Sequence, residues 1–144
     1  MADSFQILIA DDHPLVRGAL KQALSSELEN VTLYEAGSLA EAIEQIEAHS
    51  GDIDLVLLDL HMPGMNGFTG LFTLRASYPD IPVSIVSASQ ELPVVRRSIE
   101  YGASAFVPKS APVDQIGTAI RTVLNGDMWM PDWARDAIEN GPAD

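Results

Sequence analysis

The sequence predicts an α/β protein whose parallel sheet is covered by helices on both faces. Three observations indicate this fold class. Short apolar runs alternate with longer amphipathic stretches along the 144 residues. Residues 53–58 form an almost continuously apolar run, which is typical of a strand buried on both faces. The chain is also long enough for one domain of ordinary size with a single core.

Five apolar runs are predicted to be β-strands, and the third should be central because it is apolar on both sides of its pleat. They cover residues 5–10, 31–36, 53–58, 81–87 and 105–107. A stretch with the apolar spacing of a helix follows each strand. The predicted helices cover residues 14–28, Ser38 to about His49, the segment from Asn66-Gly67 to about Ser77, 92–101 and 112–124.

Local signals mark several helix ends. Ser38 is followed three residues later by Glu41, the pattern of a capping box at a helix N-terminus. Gly102 is placed where a helix C-cap favours glycine. The apolar pattern then decays, so residues 127–144 are interpreted as a linker or C-terminal extension rather than core, with two possible helical turns over 132–139.

Composition excludes several classes of protein. The net charge is −13 with only 8 lysines and arginines, so direct binding of DNA or RNA by this chain is not expected. Cysteine is absent, which excludes disulfides and thiolate metal sites. No apolar run reaches the length of a membrane span, and the N-terminus lacks the basic start of a secretory signal. We therefore expect a cytoplasmic protein without membrane contacts.

Acidic side chains follow two strands at the point where each ends. Asp11 and Asp12 follow the first strand, and Asp59 ends the third. Because carboxyl ends of parallel strands share one edge, these three carboxylates should converge where the winding direction reverses. Such a cluster needs a compensating cation, and its oxygen ligands suit Mg²⁺. The backbone carbonyl of His61 is a further candidate ligand, whereas its imidazole is interpreted as solvated.

Two more polar residues should face the same edge. Ser87 ends the fourth strand, and Lys109 follows the fifth. Taken singly, each acid, serine or lysine is typical of a turn, a helix cap or the surface. Together they predict a phosphoryl site, in which Asp59 is the nucleophile, Ser87 donates a hydrogen bond, and Lys109 and the metal neutralise charge.

The chain resembles the receiver domain of two-component response regulators over roughly residues 5–126. The matching features are Asp11-Asp12, DLHMPGMNG around Asp59, Ser87-Ala88, Gly102-Ala103, Phe106 and Lys109. The resemblance implies a flavodoxin-like (βα)5 doubly wound sheet of five parallel strands in the order 2-1-3-4-5. It also implies that Asp59 accepts a phosphoryl group from a partner sensor histidine kinase, that Asp11 and Asp12 hold Mg²⁺, and that Lys109 contacts the phosphoryl group.

Within this family, DDHPLVRGAL and GDMWMP resemble the LuxR/NarL/FixJ-type subfamily, whose receivers precede a helix-turn-helix domain. We therefore expect a receiver over residues 1–126, an extension over 127–144, and DNA binding only through a C-terminal domain missing from this chain. The chain is either an excised domain or a natural stand-alone receiver, and excision is expected. Trp129 and Trp133 could pack on the last helix or contact the missing domain.

Phosphorylation is expected to act through a switch. We predict that the Ser87 hydroxyl moves toward the phosphoryl group and that Phe106 turns into the vacated space, or else that Phe106 is plain core. The fourth helix, fifth strand and fifth helix would then change shape and control an output, with homodimerisation as one outcome. Ala88 is small and should leave the phosphoryl group open to water. Candidate dimer contacts are Arg96, Arg97 and Ile99 on the fourth helix. Ile116, Ile120 and Val123 on the fifth helix are further candidates, although most of these three are expected to be core that faces the sheet.

Two alternatives remain. An aspartate-nucleophile phosphohydrolase of the haloacid dehalogenase type would need a second acid two residues after Asp59, and this position is His61. A pseudo-receiver would bind partners without being phosphorylated, although every chemical position is filled here.

Overall fold

The computed structural model describes residues 4–49, 51–62 and 68–140. Its five strands form one parallel sheet in the order β2-β1-β3-β4-β5, with β3 central, so the predicted fold class and strand order are confirmed. The strands are β1 (Phe5–Ala10), β2 (Val31–Ala36), β3 (Leu55–Asp59), β4 (Val83–Ser87) and β5 (Ala105–Pro108). The helices are α1 (Pro14–Glu27), α2 (Leu39–Ala48), α3 (Thr69–Ser77), α4 (Leu92–Glu100), α5 (Val113–Leu124) and α6 (Asp132–Asn140).

Most predicted boundaries agree with these elements within two residues. The fourth strand begins at Val83 rather than at residue 81, in keeping with the missing N–H of Pro82, which cannot donate to a neighbouring strand. The start of the third helix, predicted at Asn66-Gly67, lies outside the described residues, and α3 is described from Thr69.

The central strands bury side chains on both faces of the sheet. Leu55 and Leu57 of β3 belong to one apolar cluster with α1 and α5, whereas Val56 and Leu58 belong to the opposite cluster with α2, α3 and α4. All four side chains are at most 1% exposed. Full burial of one such side chain contributes about 1.5–3 kcal/mol, which explains the continuous apolar run that the sequence places here.

The predicted helix ends have the expected local chemistry. Ser38 Oγ accepts a hydrogen bond from the amide of Glu41 (3.1 Å). The Glu41 carboxylate in turn accepts from the amide of Gly37 (2.9 Å), one residue before the position that a regular capping box uses. Gly102 follows α4 with a φ of 104°, in the left-handed region that favours glycine.

Helices α1 and α5 approach each other closely at Gly117. A Cβ atom at this position would lie 2.6 Å from the Cβ of Glu27, closer than carbon atoms pack. The backbone carbonyl of Glu27 also accepts a hydrogen bond from Arg121 Nη1 (2.8 Å). A residue without a side chain at position 117 therefore allows α5 to lie against the end of α1.

Part of the C-terminal segment is core, which corrects the prediction that residues 127–144 lie outside it. The amide of Trp129 donates to the carbonyl of Ser104 (3.0 Å), and its own carbonyl accepts from the amide of Phe106 (3.1 Å). Trp129 is only 9% exposed, and Ala134 of α6 is fully buried in a helix that contacts α4. The apolar sequence pattern is weak in this segment because a few specific contacts, rather than a continuous apolar helix face, hold it against the rest of the domain.

The two tryptophans therefore have different environments. Trp129 packs in the apolar cluster with α5, whereas Trp133 in α6 is 43% exposed. The division between domain and extension at residue 126 stays a prediction. Within the described part of the chain, no helix has the length and apolar character needed to cross a membrane.

Candidate functional site

The carboxyl ends of β1 and β3 lie side by side, since Ala10 pairs with Leu58 in the parallel ladder. The acids that follow each strand end are thereby brought together. One ligand atom from each of Asp11, Asp12, His13 and Asp59 lies within 4.8 Å of the others. Asp11 and Asp59 are both only 1% exposed. The convergence that the sequence predicts for the three aspartates is present in the structure.

Asp59 is held by two donors. Its Oδ1 accepts a hydrogen bond from the backbone amide of His61 (3.1 Å), and its Oδ2 accepts from Lys109 Nζ (3.2 Å). The His61 residue itself is exposed, as expected for a solvated imidazole. Two donors on different oxygens fix the orientation of the Asp59 carboxylate.

Lys109 joins the two buried aspartates. Its ammonium lies 3.1 Å from Asp11 Oδ2 and 3.2 Å from Asp59 Oδ2, and its side chain is 17% exposed. Burial opposes the charge of Lys109, but the carboxylates of Asp11 and Asp59 outweigh it and raise its pKa above the usual range. Lys109 therefore stays charged at neutral pH.

The backbone around Lys109 is tied to the neighbouring strand. The amide of Lys109 donates to the carbonyl of Ser87 (2.8 Å). Lys109 follows Pro108, and no peptide bond among the described residues is cis, so the Lys109–Ser110 bond is trans. The hydrogen bond to Ser87 thus fixes the position of the Lys109 backbone relative to the end of β4.

Asp11 is anchored through both its side chain and its backbone. Its Oδ1 accepts from the amide of His13 (2.8 Å), and its carbonyl accepts from Arg17 Nη1 (2.6 Å). Arg17 is held in turn by Glu35, which also pairs with Lys21. Hydrogen bonds from Lys21 and Arg17 lower the pKa of Glu35 despite its partial burial. This network of Arg17, Lys21 and Glu35 connects Asp11, at the end of β1, to α1 and β2.

The oxygen atoms of the site fit a hard divalent cation. Among the described residues, neither Asp11 Oδ2 nor Asp12 Oδ1 takes part in a well-aligned hydrogen bond, although both atoms are buried. Asp11 Oδ2 has an ion-pair contact with Lys109, but three clustered carboxylates exceed one ammonium in charge. Oxygen donors in this number are the ligands that Mg²⁺ prefers, and Asp11, Asp12, Asp59 and the His61 carbonyl are the residues that would hold it.

The proposed switch residues lie on the next two strands. Ser87 is fully buried at the end of β4, and its Oγ accepts from the amide of Ser89 (3.1 Å). Ala88 is exposed beside it. Phe106 of β5 is fully buried in the cluster with α2, α3 and α4, so the structure places its ring in the inward position.

Sequence reasoning missed two residues of the site. The Nδ1 of His13 lies 3.0 Å from Asp12 Oδ1, and Arg17 reaches the backbone of Asp11. The signal for His13 is its position directly after two candidate ligands. The contact of Arg17 depends on the packing of α1 against β2, which no local pattern shows.

The candidate dimer contacts on the fifth helix are core, as the sequence predicts for most of them. Ile116, Ile120 and Val123 are at most 6% exposed and face the sheet in the cluster with α1. These three side chains are core because α5 directs its apolar face inward, so they are not free for contacts between two chains.

The structure is thus an α/β domain with a doubly wound parallel sheet that carries three carboxylates and a lysine at the carboxyl ends of its strands. The family model described as response regulator receiver domain matches residues 7–121 of this chain. The chain belongs to this family.

Curated relatives of this chain include a metabolism activator and a response regulator. It is 45% identical over 127 residues to the glycerol metabolism activator of Pseudomonas putida, covering 88% of this chain and 57% of that protein. It is 35% identical over 125 residues to the nitrate/nitrite response regulator protein NarP of Escherichia coli K12, covering 87% of this chain and 57% of that protein. The chain thus spans a little over half the length of these relatives.

A solved structure from the LuxR family is also similar to this chain. The structure of a LuxR family DNA-binding response regulator from Silicibacter pomeroyi matches with a TM-score of 0.78 and 29% identity, covering 90% of this chain and 98% of that one. The predicted LuxR/NarL-type relationship is confirmed.

Proposed function

We propose that Asp59 of this receiver domain accepts a phosphoryl group from a partner sensor histidine kinase in a Mg²⁺-dependent reaction. The observation that carries this proposal is the environment of Asp59. Its two oxygens are held by the His61 amide and the Lys109 ammonium, next to buried oxygens of Asp11 and Asp12 that lack well-aligned hydrogen bonds. Each part of this arrangement has a role in phosphoryl transfer.

In the proposed reaction, a carboxylate oxygen of Asp59 attacks the phosphorus of a phosphohistidine. The P–N bond breaks, its electron pair returns to the imidazole of the kinase, and an aspartyl phosphate forms. When bound, Mg²⁺ supplies positive charge to the phosphoryl oxygens. Lys109 neutralises a further oxygen, and the Ser87 hydroxyl donates a hydrogen bond to the new group. Exposed Ala88 leaves room for water, so slow self-catalysed hydrolysis is the only further chemistry proposed.

The change in the output surface is proposed to follow from movement of the Ser87 hydroxyl and the Phe106 ring. Because Phe106 is already fully buried, we propose that phosphorylation favours this inward state over an outward one. The surface formed by α4, β5 and α5 would then change its partners, and a homodimer is one product. The variant Ser87→Ala should still be phosphorylated but should no longer change this surface. Normal switching by this variant would contradict the coupling.

Control of transcription is proposed for the whole protein. Relatives that extend beyond the matched region include an activator and a response regulator. The net charge of −13 opposes direct DNA contact by this domain, so we propose that DNA is bound only through a C-terminal domain. A cytoplasmic location stays a prediction.

The test is incubation of the chain with acetyl phosphate and Mg²⁺, followed by intact-mass measurement. We expect a single phosphoryl adduct that is absent in Asp59→Asn and absent when EDTA is present. Asp54→Asn is the matched control, because Asp54 precedes the opposite end of β3 and its carboxylate accepts from the Gln6 amide (2.8 Å). This variant should form the adduct normally.

Each other outcome has a defined meaning. No adduct in the wild-type chain would favour a pseudo-receiver, and rapid turnover of many phosphomonoesters would favour a phosphohydrolase. An adduct that persists in Asp59→Asn would place the phosphoryl group on another residue.

A further inference from the structure

The described part of the C-terminal segment, residues 127–140, lies along the outer edge of the sheet. Trp129 forms a parallel bridge with Ala105 of the outer strand β5. Its amide donates to the carbonyl of Ser104 (3.0 Å), and its carbonyl accepts from the amide of Phe106 (3.1 Å). The backbone of the proposed switch residue Phe106 is thus bonded directly to the C-terminal segment.

Side chains of the segment cover both faces of this edge. Trp129 packs in the cluster with α5, as Ala105 does. The parallel bridge places the next residue, Met130, beside Phe106, and Met130 packs against the opposite cluster, which contains the Phe106 ring. Helix α6 continues on that face, where Ala134 is fully buried and α6 contacts α4. The segment therefore lies over α4 and β5, two elements of the proposed output surface.

Helix α6 depends on this docked position. It has only nine residues, fewer than an isolated helix needs to be stable in water. Its inner side carries Ala134 and Ile138, which pack in the cluster with α4, whereas Trp133 and Asp136 are exposed on its outer side. Because α6 is held by packing at one edge of the fold, it can detach as a unit while the sheet stays folded.

The docked segment favours one position of the Phe106 ring. The ring is fully buried here, in the inward position. Because β5 is an outer strand, a ring that turns away from Ser87 has to move toward the edge of the sheet, where Met130 lies. Met130 and an outward ring would compete for this space, whereas an inward ring leaves it to Met130. Docking and the inward ring therefore favour each other.

We propose that docking of the C-terminal segment and the inward state of Phe106 are coupled, so that phosphorylation of Asp59 strengthens the docking. This step rests on the proposed function, in which phosphorylation favours the inward ring. Coupling is reciprocal, so a docked segment in turn favours the phosphorylated state. The segment would thereby be the physical connection between Asp59 and the proposed C-terminal DNA-binding domain.

The first test measures hydrogen exchange of the Phe106 amide by nuclear magnetic resonance. This amide reports docking directly, because the Trp129 carbonyl is its hydrogen-bond acceptor. With acetyl phosphate and Mg²⁺ in excess, and the adduct confirmed by intact mass, exchange in the wild type should slow by about fivefold or more. The same additions should not slow exchange in Asp59→Asn.

The second test detaches the segment by mutation. Ala134→Glu places a charge in the buried contact between α6 and α4, so the Phe106 amide should exchange about fivefold faster or more. Nuclear Overhauser contacts between the Phe106 ring and the Met130 methyl group should be lost. Trp133→Glu is the matched control, because it adds the same charge one residue earlier at a side chain that is 43% exposed, and it should change neither readout. Ile138→Glu, at a partly buried position, should act like Ala134→Glu but more weakly.

The outcomes separate this inference from the proposed function. An adduct on Asp59 that leaves exchange of the Phe106 amide unchanged would overturn the inference, while the proposed function would stand. If no adduct forms, the proposed function fails and the variants decide the coupling. A Phe106 ring that leaves its inward position in Ala134→Glu, but not in Trp133→Glu, would support it. A ring that stays inward after α6 has detached would overturn it.

Discussion

The ammonium of Lys109 lies 3.2 Å from Asp59 Oδ2, across the ends of two strands that are not neighbours in the sheet. Lys109→Gln would leave two buried carboxylates with one cation fewer. We expect a loss of about 3 kcal/mol in the free energy of unfolding, measured by urea denaturation in EDTA. Mg²⁺ should restore part of this loss. Lys21→Gln removes a more exposed ion pair and should cost less than about 1 kcal/mol, so equal losses would contradict the argument.

The same contacts predict a pH dependence. Burial opposes the charge of Lys109, but Asp11 and Asp59 raise its pKa above the usual 10.5. The folded state holds this proton more tightly than the unfolded state, so the stabilisation is complete below pH 10.5 and is lost as the pH rises through the folded pKa. The difference in stability between wild type and Lys109→Gln should shrink above this value. A difference independent of alkaline pH would contradict the prediction.

The two tryptophans provide a matched pair for the packing of the C-terminal segment. Trp129 is 9% exposed and bonded through its backbone to β5, whereas Trp133 is 43% exposed. Trp129→Ala should lower the free energy of unfolding by about 3 kcal/mol, because it removes a large buried side chain. Trp133→Ala should cost less than about 1 kcal/mol. If chemical denaturation showed equal small effects, the segment would not be part of the core.

Ser84 has a buried hydroxyl that forms no hydrogen bond with the described residues. Ser84→Ala should therefore be neutral or stabilise the domain by up to about 1 kcal/mol. Ser98 is equally buried, but its Oγ donates to the carbonyl of Val94 (2.8 Å), so Ser98→Ala should cost about 1 kcal/mol. Thermal denaturation of both variants measures the contrast, and a clear loss in Ser84→Ala would indicate a partner that stabilises its hydroxyl.

Two helical glycines, Gly18 and Gly117, allow the effect of close packing on stability to be measured separately from that of helix propensity. An added Cβ at Gly117 would clash with Glu27, whereas no atom lies within 4 Å of an added Cβ at Gly18. Both changes to alanine gain about 1 kcal/mol of helix propensity. Gly18→Ala should thus stabilise the domain, while Gly117→Ala should destabilise it by about 1–3 kcal/mol relative to that control. Equal stabilisation in urea would show that α1 and α5 can move apart at little cost.

The sheet and its acidic cluster are predictable because their signals are local. A continuous apolar run ending in Asp59 marks a buried strand, and the alternation of strands and helices determines where the strand ends meet. Asp11 and Asp12 then reach the same place as Asp59, although they precede it by 48 and 47 residues. No contact between side chains has to be known for this step.

The remaining features depend on contacts that no spacing reveals. Trp129 enters the core through two backbone hydrogen bonds, to Ser104 and Phe106, which most residue types could make. Arg17 reaches Asp11 only because Glu35 on β2 holds its guanidinium. The approach of the His13 ring to Asp12 depends on the rotation of its side chain.

The bridge between Ala105 and Trp129 also bears on aggregation. An outer strand with unpaired backbone groups can recruit an extended chain from another molecule. The carbonyl of Ser104, just before β5, and the amide of Phe106 on β5 are already bonded to Trp129, so strand addition is directed to β2, the opposite outer strand. Detachment of the C-terminal segment would expose β5 as a second outer strand with unpaired backbone groups. This strand carries Phe106, the residue proposed to switch on phosphorylation.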